Sequence, residues 1–525
     1  MRFRFLCVSF SLLSALALAQ SLPADTTYAQ PWRPQYHFSP RVNWTNDPNG
    51  LVYYDGEYHL FFQYNPFGIR WGHMSWGHAV SRDLVHWREL PVAIAEQEPV
   101  MIFSGSCVVD KLNTSGFGRE NHPPMVAIYT GHQSNRQSQH VAYSLDKGRT
   151  WTKYARNPVI DLGKKDFRDP KVFWHEPSRR WVMVVLLPTE KRALFYNSPN
   201  LTDWTRTGEF TAADSPATIW ECPDLVEVPV DGTMERKWLL LLSMGGNAPA
   251  GGTGMQYYVG RFDGRTFVAE TKASGLQYVD WGKDYYAAIT YNNLPPRGNR
   301  GATSVGWMNN WQYANDIPTT PFRGAMTLPR ELRLAKTKTD VVVASAQSPN
   351  RPTPTAGPAY ELRQRPIQEL NQLLGVPFQW QGTDVAQLNQ SLRAGGIAGD
   401  TYLLTLEADA GAGGNFGVRL RQGAGEETLV GYDAGKGQLY TDRTKSGQVQ
   451  FKKEFSGRFV APLKPQNGKL TLHIWVDRSS VEVFANDGQV TMTNQIFPRP
   501  DSRGIAFFGH GLRAVTFRPV EGIWR

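Results

Sequence analysis

The chain has 525 residues, a formal net charge of +9 and 20% charged residues. It is too long for one ordinary hydrophobic core, and it has no basic run interleaved with aromatics of the kind that marks a nucleic-acid footprint. Seventeen Trp, 21 Tyr and 49 Gly, with few long helical patterns, predict an all-β protein rich in turns. Three cysteines exclude a disulfide-stapled scaffold in a protein of this size.

At the N-terminus, Arg2 and Arg4 precede an apolar run from Phe5 to Leu18 that ends in Ala17-Leu18-Ala19. This is the pattern of a bacterial secretory signal over residues 1–19, too short for a membrane span. No later stretch approaches twenty apolar residues, so the mature protein is expected to be soluble and exported, extracellular or periplasmic, with no membrane insertion. Cys7 leaves with the leader. Cys107 and Cys222 are expected as two buried thiols, a bridge between them staying open until their backbones are placed.

The next informative stretch is Trp44-Thr45-Asn46-Asp47-Pro48-Asn49-Gly50. Asn, Asp, Pro and Gly are turn-forming residues, and they would frame the Asp47 carboxylate rigidly. A short phrase then recurs about every fifty to sixty-five residues, the period of a β-propeller blade. It reads Ser81-Arg82-Asp83-Leu84-Val85-His86-Trp87, Ser144-Leu145-Asp146-Lys147-Gly148-Arg149-Thr150-Trp151, Ser198-Pro199-Asn200-Leu201-Thr202-Asp203-Trp204 and, degenerately, Asp263-Gly264-Arg265-Thr266-Phe267. Each copy follows a strand-like run. The phrase is therefore assigned to a hairpin between the outer strands of a blade, its aromatic packing between blades. Asp284 to Tyr291 and Gly301 to Trp311 suggest a fifth blade, ending near Leu334, with Tyr36-His37-Phe38 recruited as a strand that closes the ring.

After Leu334 the composition changes. Ser345 to Pro358 is rich in Pro, Ser, Thr and Ala and reads as a linker. Alternating strands follow at Tyr402–Leu406, Phe416–Leu420, Leu470–Val476 and Val481–Phe484, as in a β-sandwich. The predicted organisation is a signal peptide at 1–19, a five-bladed propeller at 20–340, a linker at 341–365 and a sandwich at 366–525.

A second series in the propeller half places Asp47, Ser104, Asp169 and Glu221 at a similar spacing, one polar group per innermost strand, converging on the axis. Two carboxylates flanking a glycosidic bond are the minimal apparatus for sugar hydrolysis. Glu221, in Thr218-Ile219-Trp220-Glu221-Cys222-Pro223-Asp224, has apolar sequence neighbours that suit a general acid. Asp47 among amides, and Asp169 beside Arg168, are expected to stay ionised, suited to gripping hydroxyls and to balancing positive charge in a transition state. No His or Cys cluster has ligand spacing, so neither a metal nor another cofactor is expected.

The motifs WTNDPNG, FRDP and WECPD, in this order and spacing, resemble glycoside hydrolase family 32, the invertases, inulinases and levanases. His59 to Pro66, Trp71 to His78, Phe103-Ser104-Gly105-Ser106 and Asp477-Arg478-Ser479-Ser480-Val481-Glu482-Val483-Phe484 agree with it. The resemblance covers nearly all of the mature chain and implies a five-bladed propeller carrying the active site, followed by a β-sandwich. It implies Asp47 as nucleophile, Glu221 as acid/base and Asp169 as transition-state stabiliser. Asn46, Gln63, Trp71, Phe103, Ser104, Arg168 and Trp311 match positions that line the pocket for a terminal fructose. The retaining reaction it implies needs the two carboxyl groups about 5 to 5.5 Å apart.

The expected protein is thus an exported exo-acting β-fructosidase that works on levan, inulin or both and on sucrose through a covalent fructosyl-enzyme. The segment Asn292 to Arg323 resembles that of exo-acting fructanases. An invertase, a fructosyltransferase and a non-catalytic glycan-binding propeller are the alternatives. A sialidase is disfavoured because only Arg168 accompanies the acids. The sandwich is expected to support the propeller, and a monomer is favoured.

Overall fold

The computed structural model describes residues 27–119, 122–272, 276–295, 298–337, 341–344, 353–355, 359–410 and 415–524; the expected leader lies outside the described residues. The chain is all-β. Among the described residues, five sheets, antiparallel but for one short pairing, follow in chain order, each named here by its innermost strand: Asn43–Tyr54, Met101–Val109, Arg168–His175, Trp220–Pro229 and Tyr286–Thr290. Each of these five strands packs against the next around a ring, and the last packs against the first. This is a β-propeller, with the cores between sheets built from fully buried residues such as Phe61, Trp76, Val126, Val184, Trp220 and Leu240.

All four copies of the repeated phrase occupy the expected place, between the third and fourth strands of a sheet: Ser75–Ser81 to Trp87–Ile94, Arg136–Ser144 to Thr152–Lys153, Arg192–Ser198 to Thr205–Thr211, and Gly254–Phe262 to Phe267–Lys272. The Asp or Asn of the phrase folds the turn by accepting backbone N–H bonds, as Asp83 does from Val85 and His86 and Asp263 from Arg265 and Thr266. The residue after it takes positive φ in every copy: Leu84, Lys147, Leu201 and Gly264. The closing aromatic joins adjacent sheets, Trp151 lying edge-on to Phe61 at 5.5 Å and Phe267 to Phe210 at 5.4 Å.

Two expectations need correction. Tyr36-His37-Phe38 forms no strand. Phe322–Arg323 pairs instead with the first innermost strand, in parallel with Asn43 and Trp44, while His37 is held by buried acids of the second domain. The expected linker is also partly strand. Ala359–Pro366 is the fourth strand of the fifth sheet, in unbroken register with Arg330–Thr337, and Val341–Ala344 pairs with the outer strand of the fourth sheet. The remainder of the Pro-rich segment, 345–352 and 356–358, lies outside the described residues.

The second domain is a sandwich of a six-stranded and a five-stranded antiparallel sheet around one apolar core that includes Leu404, Val418, Val430, Leu472, Val483 and Phe507. Its contact with the propeller is unusually charged. His37 lies between Asp477 at 2.8 Å and Glu482 at 2.9 Å, all three side chains fully buried. Asp477 also accepts from the backbone N–H groups of Gln35 and Tyr36, and Glu482 from that of Leu328. Arg330 bonds to Glu482 and to Asp280, and Arg443 reaches across to Asp284 at 2.6 Å. The C-terminal motif is therefore a clamp on the propeller. Buried ion pairs of this kind are expensive to break because removing one partner strands the other in a low dielectric.

Candidate active site

Every innermost strand carries a β-bulge at the same height. Asn46-Asp47 oppose the single residue Gln63, Phe103-Ser104 oppose Thr130, Asp169-Pro170 oppose Val185, Cys222-Pro223 oppose Leu242, and Ala287-Ala288 oppose Gly306. A bulge bends its strand and re-aims a side chain, and here it turns one polar group per sheet into the mouth of the ring. Proline, which cannot donate to a ladder, is tolerated at such irregular positions. The stretch read as a tight turn around Asp47 is therefore strand, with Asn46-Asp47 in one bulge and Gly50, at φ +53, in a second. Asp169, Cys222 and Ala287 also hold positive φ. Such strain, on the order of 1 kcal/mol or more per residue, collects where function needs a side chain aimed off the regular lattice.

The bulges bring the acids together. Ser104 Oγ donates to Asp47 Oδ2 at 2.7 Å, and Asn46 Nδ2 donates to Asp47 Oδ1 at 3.0 Å. Cys222 touches two acids at once: its Sγ lies 3.4 Å from Asp47 Oδ2, and its backbone N–H donates to Asp169 Oδ2 at 3.0 Å. Arg168 donates through Nη2 to Glu221 Oε1 at 3.0 Å and through Nη1 to Asp166 at 3.0 Å. Tyr286 donates its hydroxyl to the other oxygen of Glu221. Glu221, apolar in its sequence neighbours, is thus surrounded in space by an arginine and a phenol. It is the most open of the three acids, its side chain 21% exposed against 7% for Asp169.

Burial works against the expected ionisation of the two aspartates. It raises the Asp47 carboxyl above its ordinary value; bonds from Ser104, Asn46 and Cys222 oppose the rise, while the Glu221 charge adds to it. Burial, with Glu221 and Asp47 adding to it, pushes Asp169 up to about 7 in spite of Arg168. The reason is geometric: Arg168 Nε stands 3.8 Å from Asp169, while the ends of the guanidinium are spent on Glu221 and Asp166. Asp47 and Asp169, buried close to each other and to a third carboxyl group, hold their protons more tightly than they would in water.

The remaining expected residues line the walls. Phe103 stacks on His132 at 4.2 Å, and Trp71, 41% exposed, stands edge-on to Phe103 at the rim. Trp311 stacks on buried Trp44 at 5.8 Å, and Trp44 Nε1 donates to Asn46, which in turn fixes Asp47. Gln63 is buried behind the acids and donates to the Ile102 carbonyl. Among the described residues, Cys107 and Cys222 are free and buried, as expected.

With this geometry in place, comparison with known proteins is direct. The Glycosyl hydrolases family 32 N-terminal domain matches residues 37–345, and the Glycosyl hydrolases family 32 C terminal domain matches residues 369–521. The chain belongs to glycosyl hydrolase family 32. It is 45% identical to a levanase of Bacillus subtilis (strain 168) over 527 residues, covering 98% of this chain and 74% of that protein. It is 42% identical to an extracellular exo-inulinase of Aspergillus niger over 514 residues, covering 90% of this chain and 91% of that protein. Among solved structures, the exo-inulinase from Aspergillus awamori superposes with a TM-score of 0.82 at 38% identity, over 95% of this chain and 100% of that one. A fructofuranosidase from Schwanniomyces occidentalis complexed with fructose gives 0.81 at 32% identity, over 95% of this chain and 100% of that one.

Several residues at the mouth of this family 32 propeller escaped the sequence reading. Tyr286 is the clearest. It stands 65 positions after Glu221, at the spacing of the polar series, on a strand already assigned to the fifth blade; continuing that series by one step would have found it. Asn49, whose amide spans Gln63 Nε2 at 3.0 Å and Ser104 Oγ at 3.3 Å, was read only as a turn former. Cys222 was read only as a buried thiol. His132 carried no signal, since it meets Phe103 across a pair of strands whose bulge cannot be located from sequence.

Proposed function

We propose that this glycoside hydrolase is an exported, retaining β-fructosidase that releases terminal β-D-fructofuranosyl units from fructans such as levan or inulin, and that also cleaves sucrose. The observation that carries the reading is the convergence of Asp47, Asp169 and Glu221, each from a different innermost strand, with Arg168 and Ser104 tying them together. The similarity to a levanase and to exo-inulinases supports polymeric fructans over sucrose as the main substrate. Export rests on the leader pattern of residues 1–19 and accords with the extracellular exo-inulinases among the relatives.

In this reading the terminal fructose sits against Trp71, Phe103 and Trp311. Glu221 gives its proton to the departing glycosidic oxygen while Asp47 attacks C2, so the C2–O bond breaks as the ester bond to Asp47 forms. C2 is a tertiary anomeric carbon and passes through an oxocarbenium-like state, whose positive charge the Asp47 and Asp169 carboxylates offset. Glu221, now a base, takes a proton from water, which attacks C2 and frees Asp47. Two displacements at one carbon return the original configuration. Ser104, Asn46 and the Cys222 thiol donate to Asp47 and favour the charged form that attack requires.

Incubating the purified protein with levan, inulin and sucrose tests the reading. Free fructose is expected from the first time point, appearing as the β-anomer in a rapid NMR assay. Oligofructans appearing before fructose would refute exo action, and an initial α-anomer would refute retention. Glu221→Gln is expected to lower turnover by about a thousandfold or more, and unchanged fructose release from it would refute the catalytic assignment.

A further inference from the structure

A cavity of about 610 Å³ opens at the opposite mouth of the propeller, between its second and third sheets. Its walls come from the far ends of the strands that carry Ser104 and Asp169. Trp174 lies five residues beyond Asp169, roughly 16 Å along the strand at about 3.3 Å per residue. The axis between the two mouths is filled. Lys171 Nζ donates to Asp224 at 3.0 Å and to the Thr290 carbonyl at 2.8 Å, and Asn292 Nδ2 donates to the carbonyls of Cys107 and Val172, both at 2.9 Å. The cavity is therefore a site apart from the acids.

Its lining combines fixed aromatic surface with a polar rim. Trp174 and Trp181 meet edge to face at 5.1 Å, and Leu112, 61% exposed, forms one lip. The wall behind them is tied down. Buried Asp110 accepts the backbone N–H and the hydroxyl of both Thr114 and Ser115, and Thr114 Oγ1 takes the Trp181 indole N–H at 2.8 Å. On the rim, Glu176, Arg179 and Asn293 offer donors and acceptors side by side. A preformed concavity with apolar faces and a few polar groups of both kinds suits an uncharged, polyhydroxylated ligand, whose ring C–H faces pack on indole while its hydroxyls bond to the rim. The cavity's charged groups, Lys111 and Arg179 beside Glu176, are of both signs, without the converging buried cations that an anion would call for.

We infer that this cavity is a second, non-catalytic carbohydrate site that holds a short stretch of oligofructoside on the face of the propeller opposite the acids. The identity of the sugar rests on the β-fructosidase reading above. The site gives an enzyme working on a polymer a second hold on the chain, without a role in bond cleavage.

The test is calorimetric titration of the full-length Glu221→Gln protein with fructotetraose, in β-2,1- and β-2,6-linked forms. Two sites are expected for at least one linkage, falling to one when Leu112→Asp is added, with the melting temperature unchanged because Leu112 is exposed. Arg179→Ala, on the polar rim, provides the second variant and is expected to weaken the same site. In the active parent, Leu112→Asp is expected to leave sucrose turnover unchanged and to raise the half-saturating concentration of polymer. One site in the Glu221→Gln protein with both linkages, or two undiminished sites in both variants, overturns the inference. Failure of the active parent to release fructose from any of the three substrates would overturn the β-fructosidase reading, whereas single-site binding beside normal fructose release overturns the second site alone.

Discussion

His37→Gln isolates the charged clamp between the domains. Burial by itself would drive the His37 imidazole down, but hydrogen bonds and charge from Asp477 and Glu482 outweigh it and raise the pKa from 6.5 to about 9. At about 1.4 kcal/mol per pKa unit, that rise is worth roughly 3 kcal/mol. Because the folded value lies above the unfolded one, this stability is fully present below pH 6.5 and is lost as pH rises through 9. Glutamine fills a similar volume and does not titrate. Urea unfolding of parent and variant at several pH values is the assay. The parent's advantage is expected to shrink by roughly 3 kcal/mol between pH 6 and pH 9.5, with the sandwich parting from the propeller sooner in the variant. An advantage that stays constant across that window would refute a charged histidine at the domain contact.

Other consequences follow from the crowded mouth of the propeller. Asp169, pushed up to about 7 chiefly by burial, contributes stability below its ordinary value of 3.8 that is lost as pH rises through 7. Asp169→Asn, which does not ionise, is therefore expected to gain on the parent by up to about 4 kcal/mol between pH 4 and pH 8, while fructose release falls sharply; melting temperatures across that range check the sign. Tyr286→Phe removes the hydroxyl that Glu221 accepts and is expected to lower kcat by about ten- to a hundredfold with little change in KM, as steady-state kinetics on sucrose would show.

The sequence by itself determined a great deal here. Turn-forming Asp, Asn and Gly residues act within a few positions of themselves, so the repeated phrase located four outer hairpins and with them the propeller. The polar series at a similar spacing named Asp47, Ser104, Asp169 and Glu221, because equal spacing in a ring of like sheets means equal height on the axis. The strands of the sandwich were legible for the same local reason, as alternation with period two. What only the tertiary structure decided depends on groups far apart in the chain. His37 is held by Asp477 and Glu482, some 440 positions away, Phe322–Arg323 rather than the segment around His37 pairs with Asn43 and Trp44, and the last blade took its outer strand from beyond a stretch that reads as linker. Ionisation was decided there too: Arg168 is next to Asp169 in sequence but spends its guanidinium on Glu221 and Asp166, so burial, which no local pattern reports, sets the proton affinity of Asp169.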